Sequence, residues 1–305
     1  MSTSIDTVPY DDAPFDDRHD VSSRPGPFRR ARDVWAYREL LGNLVRKELK
    51  VKYKNSALGF VWSLLNPLLY LVVFYVVFTY FLPAGVPKFP IFLLAGLLPW
   101  NLFSNGLGGG AGSIVGNSSL VNKVYFPREI LPLSTVGANL VHFFLQAIVL
   151  LLALVVAQRG VDPGYVWLAV PALLVLVLLA SALAIFLSCI NVYARDTQHL
   201  LELILLAWFW MTPIVYQWGL PAKKLEEAGW SSSLLLLNPM TSIVIALQRA
   251  LYGGLYFPNG DVILPDRSAL WYFRNLAVVG AVALVLFGLA LRLFGKLEGN
   301  FAEEL

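Results

Sequence analysis

Residues 172–185 read ALLVLVLLASALAI, and residues 68–80 read LLYLVVFYVVFTY. Both stretches are apolar at odd and even positions alike, so they lack the alternation of a strand in a membrane barrel. Backbone groups in lipid must be hydrogen-bonded within the structure, which leaves helices as the alternative to a closed barrel. The sequence therefore predicts an all-α integral membrane protein.

Further runs without Asp, Glu, Lys or Arg occupy most of the chain beyond residue 54. A membrane-spanning helix needs about 20 mostly apolar residues. Hydropathy predicts a membrane domain over residues 55–297 with six transmembrane helices, at about 58–82, 89–112, 132–157, 166–192, 200–218 and 270–293.

Of the 305 residues, 57% are hydrophobic and only 14% are charged, against about 25% charged in a soluble domain. This composition excludes disordered protein, a nucleic-acid surface and most soluble enzymes.

Charges crowd into the first 54 residues, which hold 11 of the 23 Lys and Arg residues and 9 of the 20 Asp and Glu residues. Residues 1–33 are polar with few apolar side chains, which predicts a disordered cytoplasmic tail. Residues 34–54 place apolar residues at helical spacing among cations, which predicts an amphipathic helix at the membrane surface. An ordinary solvated helix is the alternative. The cations expected to meet lipid headgroups are Arg46, Lys47, Lys50, Lys52 and Lys54.

These cations also predict the orientation of the chain. They precede the first span, whereas the next loop contains only Lys88. Because short loops rich in Lys and Arg stay in the cytoplasm, the amino terminus is expected there. Six spans then place the carboxyl-terminal tail, residues 298–305, in the cytoplasm too, and Arg292 and Lys296 agree. The expected location is the cytoplasmic membrane.

Residues 232–251, SSLLLLNPMTSIVIALQRAL, form an apolar segment broken by Asn238 and Pro239. Proline removes a backbone donor and restricts the residue before it, so one helix cannot run smoothly through this point. We predict a re-entrant pair of short helices on the external side, before the last span. A seventh span is the alternative, but it would place the carboxyl terminus outside.

The sequence offers no catalytic, cofactor-binding or metal site. It contains no G-x-x-x-x-G-K-[ST] loop for nucleotide phosphates, and His199 and Glu202 lack a third metal ligand. Residues 106–112, GLGGGAG, lie inside a span and follow no strand, so they predict close helix contact rather than dinucleotide binding. The spans contain almost no ionisable groups for ion coupling. Any transport therefore needs energy from a cytoplasmic partner.

Two loops predicted to face the cytoplasm carry charged corners where such a partner could dock. One contains Phe126, Pro127, Arg128 and Glu129, and Pro127 can begin a short helix there. The other contains Arg195 and Asp196, and Asp196 is placed to cap the next helix. Solvated turns are the alternative for both loops.

Aromatic residues suggest a second kind of site. Tyr70, Phe74 and Phe78 recur every four residues in the middle of the first span. Flat apolar faces with polar edges suit sugar rings, whose C–H groups stack on the aromatic ring. These three residues are candidates for a substrate path, and plain helix packing is the alternative.

Four segments, in this order, resemble the permeases of type-2 ABC exporters for cell-surface polysaccharides such as O-antigen, capsule and teichoic acid. They are residues 46–67 (RKELKVKYKNSALGFVWSLLNP), residues 124–132 (VYFPREILP), residues 193–216 with YARD and MTPIVY, and residues 238–251 (NPMTSIVIALQRAL). The resemblance covers the chain from about residue 38 onward.

This resemblance implies export of a lipid-linked polysaccharide by a permease homodimer with two copies of a separate ATPase, which binds ATP and Mg. It implies that the two charged loops contact the ATPase and that aromatic residues line the path. It also implies that the broken segment, with Asn238, Pro239 and Arg249, forms an external gate. Alternatives are a related permease for a drug or lipid and an integral membrane enzyme that modifies a lipid or sugar.

Overall fold

The computed structural model describes residues 26–54, 61–81, 86–124, 126–157, 161–256, 260 and 262–305. This part of the chain is all helical, as predicted, apart from one isolated bridge between Tyr256 and Val262. The α-helices are α1 Pro27–Ala36, α2 Arg38–Tyr53, α3 Val61–Val76, α4 Phe89–Gly116, α5 Ser118–Lys123, α6 Ile130–Val156, α7 Ala169–Tyr193, α8 Thr197–Met211, α9 Gly219–Glu227, α10 Pro239–Leu251, α11 Ala269–Leu297 and α12 Phe301–Glu304. A π-helical turn, Val77–Phe81, continues α3, and 3-10 turns occupy Val166–Leu168, Ser232–Leu237 and Glu298–Asn300.

Four helical segments are long and apolar enough to cross a membrane: Phe89–Gly116, Ile130–Val156, Val166–Tyr193 and Ala269–Asn300. They coincide with the second, third, fourth and sixth predicted spans. The first predicted span corresponds to α3 with its π-helical turn, and residues 58–60 and 82 of that span lie outside the described ranges. The count of six spans stays a prediction. Large exposed apolar side chains lie along α6, α7 and α11, as expected for a surface in contact with lipid.

Helix α4 forms the centre of the fold because its apolar residues surround it on all sides. Phe92 and Phe103, for example, are fully buried, and α4 packs chiefly against α6 and α7. Gly110 allows the close approach of α7, since a Cβ atom at this position would lie 2.6 Å from the Cβ of Ala184. The glycine-rich stretch therefore serves helix contact, as the sequence predicts.

Helix α10 lies in the core, against α4, α7 and α11. Every residue from Met240 to Ala250 is buried. The helix begins after the break at Asn238, whose side chain accepts a hydrogen bond from the backbone N–H of Met240 at 3.0 Å. The segment before the break is a six-residue 3-10 turn, without a buried residue, rather than a second α-helix. The predicted pair of short helices is therefore one 3-10 turn followed by one deeply packed α-helix.

The amino-terminal region differs from the prediction of a disordered tail over residues 1–33. Residues 1–25 lie outside the described ranges, but α1 begins at Pro27, where proline suits the first turn of a helix. The predicted amphipathic helix over 34–54 is two helices, α1 and α2, which meet at Tyr37. Composition missed α1 because the contacts that hold Arg30 come from residues distant in sequence.

The carboxyl-terminal tail is folded against the rest of the chain. Phe301 is fully buried, with its ring centroid 5.3 Å from that of Phe294 and 6.1 Å from that of Tyr193. Residues 298–305 thus form a 3-10 turn and a short helix instead of a free end.

The fifth predicted span, 200–218, also differs in extent. Helix α8 starts three residues earlier and ends at Met211, after 15 residues. Pro213 lacks a backbone donor, so the helix stops before it. The chain then runs irregularly to Trp218, whose backbone N–H donates to the carbonyl of Ile263 at 3.0 Å.

Candidate functional site

The first candidate docking loop is a turn that leads directly into α6. The backbone N–H of Ile130 donates to the carbonyl of Pro127 at 3.1 Å, so Pro127 begins this turn and not a separate short helix. Phe126 and Glu129 are buried, at 5% and 1% exposure. The prediction that Glu129 offers a charge on the surface is therefore wrong, because this side chain points into an ion-pair cluster.

Glu129 belongs to a cluster of three charged residues from distant parts of the chain. Arg30 of α1 donates from Nη1 to Oε1 of Glu129 at 2.5 Å and from Nη2 to Oε1 of Glu298. The hydrogen bond to Glu298 raises the pKa of the Arg30 guanidinium, so this group stays charged. Burial raises the pKa of Glu129, and the bond from Arg30 opposes that rise. The cluster ties both ends of the described chain to the docking loop.

Arg128 connects the same loop to the carboxyl-terminal segment. Its Nη1 donates to the backbone carbonyl of Glu298 at 2.7 Å, and its guanidinium lies 5.9 Å from the centre of the Phe301 ring. The hydroxyl of Tyr193 donates to the carbonyl of Leu297 at 2.8 Å. Loop, α7 and carboxyl-terminal segment therefore form one surface, on which Arg128 is half-buried.

The second candidate docking corner lies between α7 and α8. Arg195 and Asp196 are both exposed. Asp196 occupies the cap position of α8, but its side chain accepts no capping hydrogen bond, contrary to the predicted role. The carboxylate is therefore exposed beside a cation.

The three aromatic residues of the candidate substrate path form a continuous stack. Ring centroids of Tyr70 and Phe74 are 6.1 Å apart, and those of Phe74 and Phe78 are 6.0 Å apart. Phe78 lies 4.5 Å from Phe89 of α4, and the series continues through Phe92 to Tyr252. Tyr70 is 42% exposed, whereas Phe74 and Phe78 are half-buried. The stack thus combines packing at one end with an open aromatic face at the other.

Tyr70 also lines a cavity of about 360 Å³ between α3, α4 and α6. Its wall contains four side-chain amides, one imidazole, two exposed aromatic rings and a lysine: Asn101, Asn105, Asn139, Gln146, His142, Trp62, Tyr70 and Lys52. The amides follow helical spacing, so they share one face of α4 and one face of α6. A polar cavity of this kind between apolar helices favours a ligand rich in hydrogen-bonding groups.

One amide of the cavity is held in place by the backbone of its own helix. The Nδ2 of Asn139 donates to the carbonyl of Thr135 at 2.9 Å. This bond holds the amide of Asn139 in one orientation. Asn139 is half-buried and Asn105 is exposed, so the cavity combines sheltered and accessible polar groups.

Four of the five cations of the predicted membrane-surface helix lie on α2, and Lys54 directly follows it. Arg46, Lys47, Lys50, Lys52 and Lys54 are exposed, whereas Leu44 is buried. The Nζ of Lys47 donates to Oδ1 of Asn117 at 2.6 Å, which anchors α2 at the end of α4. Lys52 alone among these five cations lines the amide cavity. The helix is thus amphipathic, as its sequence pattern predicts.

Two of the predicted gate residues, Asn238 and Pro239, lie at the break before α10. Asn238 accepts a hydrogen bond from Nε1 of Trp208 at 2.7 Å and donates to Oγ1 of Thr212 at 2.9 Å, so its amide joins α8 to α10. Pro239 occupies the first turn of α10.

Arg249 is buried at the other end of α10. Its Nη2 donates to Oδ2 of Asp162 at 3.1 Å, and its guanidinium lies 3.6 Å from the centre of the Tyr165 ring. These contacts fix α10 at both ends.

Several residues of these sites were not predicted. Arg30, Asp162 and the amides of the cavity are absent from the sequence-based candidates. The spacing of Asn139, His142 and Gln146 on one helix face was a usable signal for the cavity. No sequence signal indicated the ion pairs of Arg30, since Glu129 and Glu298 lie 99 and 268 residues away along the chain. Within the described ranges, no group of three His, Cys, Asp or Glu side chains could hold a metal ion.

Comparison with known proteins identifies the family. Residues 39–252 match the family described as ABC-2 type transporter. The chain is 36% identical over 277 residues to the O-antigen export system permease protein RfbA of Myxococcus xanthus, covering 91% of this chain and 99% of that relative. It is 29% identical to a protein of the same name from Klebsiella pneumoniae, over 88% of this chain and 95% of the relative. It is 28% identical to the polysialic acid transport protein KpsM of Escherichia coli, over 71% and 82%. This chain therefore belongs to the ABC-2 type transporter family.

Proposed function

We propose that this chain is the permease subunit of an ATP-driven exporter of a lipid-linked polysaccharide. Two copies form a homodimer in the cytoplasmic membrane, together with two copies of a separate cytoplasmic ATPase that binds ATP and Mg. The names of the relatives support this substrate class, because they refer to O-antigen export and polysialic acid transport. The driving force enters through the partner subunit and not through a site in this chain.

The observation that carries the proposal is the amide-lined cavity beside Trp62 and Tyr70. Side-chain amides both donate and accept hydrogen bonds, so they match the hydroxyls of a sugar. The exposed aromatic faces match its C–H groups. Burying amides among apolar helices is costly unless they are hydrogen-bonded, and a polyhydroxylated ligand would supply those bonds during transport. From Tyr70 the aromatic stack through Phe74 and Phe78 leads toward α10.

The exposed cations of α2 fit the lipid carrier of such a substrate. Phosphate groups prefer Lys and Arg partners, and anionic lipid attracts basic amphipathic helices. Lys52 lines the cavity, so a phosphate bound there would lie close to the amides. We therefore assign Arg46, Lys47, Lys50, Lys52 and Lys54 to contact with lipid headgroups and with the phosphates of the carrier.

The two candidate docking loops together form what we call the docking surface. The ATPase is expected to contact its exposed parts. Arg195 and Asp196 are open to a partner, and Arg128 is half-open. Phe126, Pro127 and Glu129 support the loop from within, because Phe126 and Glu129 are buried. In this proposal both loops and both termini face the cytoplasm. Asn238, Pro239 and Arg249 then belong to an external gate, and α3 and α8 supply the first and fifth of six spans.

A transport assay tests the role of the cavity. The permease and its ATPase are reconstituted into proteoliposomes, and ATP-dependent transfer of lipid-linked polysaccharide is measured. We expect N139L/Q146L to reduce transfer at least about tenfold, since each lost amide removes a hydrogen bond to the ligand, while co-purification of the ATPase is unchanged. The control is N43L, which removes an exposed amide on α2 outside the cavity. Unchanged transfer by N139L/Q146L, or transfer by the permease without ATP, would contradict the proposal.

A second assay tests the docking surface. The charge reversal R195E/D196K should reduce co-purification of the ATPase, because it inverts both exposed charges. E129Q should reduce it less, because Glu129 is buried and acts on the partner only through the loop that it supports. Equal loss in the two variants would argue that the loops act only through folding.

A further inference from the structure

A groove between α7 and α11 has a volume of about 780 Å³ and is lined mainly by apolar side chains. Large residues such as Leu183, Phe186 and Leu289 form its walls. Ala182 and Ala290 form its floor and are 1% and 2% exposed. Because these two alanines are small, the closely packed helices leave a hollow on the outer surface of the protein.

Two cations stand at one end of this groove. Arg292 and Lys296 are exposed and lie four residues apart, on the same side of α11. Among the described residues, neither forms an ion pair. Arg30 crosses the same end over Gly295, where a Cβ atom would lie 2.6 Å from its Nε. Arg30 is already bound to Glu129 and Glu298, so Arg292 and Lys296 carry the uncompensated positive charge.

The length of the groove matches one leaflet of a membrane. Its residues on α11 run from Leu286 to Lys296, which corresponds to about 15 Å of helix. The hydrocarbon core of a bilayer is about 30 Å thick. The whole groove is therefore about as long as one leaflet is deep. Its part from Leu286 to Arg292, about 9 Å of helix, is apolar, and the remainder carries the two cations.

We propose that this groove binds one anionic phospholipid. An acyl chain lies against Phe186 and Leu289, and the phosphate lies between Arg292 and Lys296. A neutral lipid gains the same apolar contact but does not neutralise the two cations. An apolar helix from a second copy of the chain would leave the cations equally uncompensated. The site is separate from the amide cavity and does not depend on the proposed substrate.

Native mass spectrometry of the full-length chain in mild detergent tests this proposal. The probes are phosphatidylglycerol and phosphatidylcholine with identical acyl chains. We expect the unaltered chain to prefer phosphatidylglycerol. R292Q/K296Q should bind phosphatidylglycerol about 25-fold more weakly, since each cation near a membrane surface contributes about a factor of five. Its binding of phosphatidylcholine should be unchanged. Both side chains are exposed, and an unchanged unfolding temperature will show that the variant is folded.

The matched control is K223Q/K224Q, which removes two exposed cations from α9. This variant should bind phosphatidylglycerol as the unaltered chain does. Equal affinity of the unaltered chain for the two lipids would overturn the proposal. Full retention of phosphatidylglycerol by R292Q/K296Q would also overturn it, and so would an equal loss in K223Q/K224Q, which would indicate attraction to net positive charge alone.

Discussion

Replacement of Arg30 by methionine tests whether the buried ion-pair cluster holds α1 on the membrane domain. Arg30 is 7% exposed and Glu129 is 1% exposed, so Glu129 does not regain water when its partner is removed. Methionine retains much of the aliphatic stem of arginine but donates no hydrogen bond. Glu129 is then buried without a cation, near the carboxylate of Glu298.

The expected loss follows from the protonation of Glu129. A buried carboxylate without a partner costs several kcal/mol, so the folded variant is expected to take up a proton instead. The ordinary pKa of this group is 4.5, and protonating it at pH 7 costs about 3.4 kcal/mol. R30M should therefore lower the free energy of unfolding by at most about 3 kcal/mol at pH 7, because burial already raises the pKa of Glu129 in the unaltered chain.

The same reasoning predicts a pH dependence. In the variant the pKa of Glu129 in the folded state lies above its unfolded value, so protonation favours the folded state. Stability is then greater at low pH and is lost as pH rises toward the folded-state pKa. At pH 5.5 the loss relative to the unaltered chain should fall to at most about 1.4 kcal/mol, because less free energy is needed to protonate the group.

Denaturant unfolding in one detergent, followed by tryptophan fluorescence at pH 7 and pH 5.5, measures both quantities. R29M is the matched control, since Arg29 is an exposed arginine on the same helix. R30M/E129Q removes the titrating group and should restore most of the stability and abolish the pH dependence of the loss. An equal loss at the two pH values, or no recovery in R30M/E129Q, would refute the reasoning.

Three further substitutions test the packing of the membrane domain, and unfolding measurements check each of them. Gly110→Ala should cost about 1 to 3 kcal/mol by overpacking, because its Cβ would lie 2.6 Å from the Cβ of Ala184. Gly108→Ala is the control and should be neutral or slightly stabilising, because no neighbouring atom lies within 4 Å of its Cβ. Asp162→Asn should cost about 1 to 2 kcal/mol, since it weakens the charge-assisted bond to buried Arg249. Asn238→Ala should cost about 1 to 2 kcal/mol by removing the cap of α10, and Asn238→Asp, which keeps the acceptor, should cost less; equal costs would argue against a capping role.

The long membrane helices could be predicted from sequence because their signal is local. A run such as residues 172–185 identifies a buried or lipid-facing helix without knowledge of its neighbours, and α7 covers that run. The break at Asn238 and Pro239 is equally local, since proline restricts the backbone wherever it occurs. Pro213 was also a local signal for the end of α8. The apolar sequence continues beyond this proline, so hydropathy predicted a span that was too long.

The charged residues could not be placed by the same means. Glu129 and Asp196 occur in similar polar loops, yet one is buried and the other exposed. The difference comes from Arg30 and Glu298, which approach Glu129 only in the folded chain. Composition alone therefore gave the wrong exposure for Glu129 and the wrong state for residues 27–33. The cavity amides were partly predictable. Their helical spacing can be read from the sequence, but the helix that each of them faces cannot.

The ion-pair cluster has a consequence for biosynthesis. Glu298 is made 268 residues after Arg30, which at typical elongation rates means a delay on the order of 10 to 50 s. During that interval the ribosome holds a chain in which Arg30 has at most one of its two carboxylate partners. In the proposed function, the docking surface is therefore complete only after translation has passed Glu298, and we expect nascent or truncated chains without that residue to compete poorly for the ATPase.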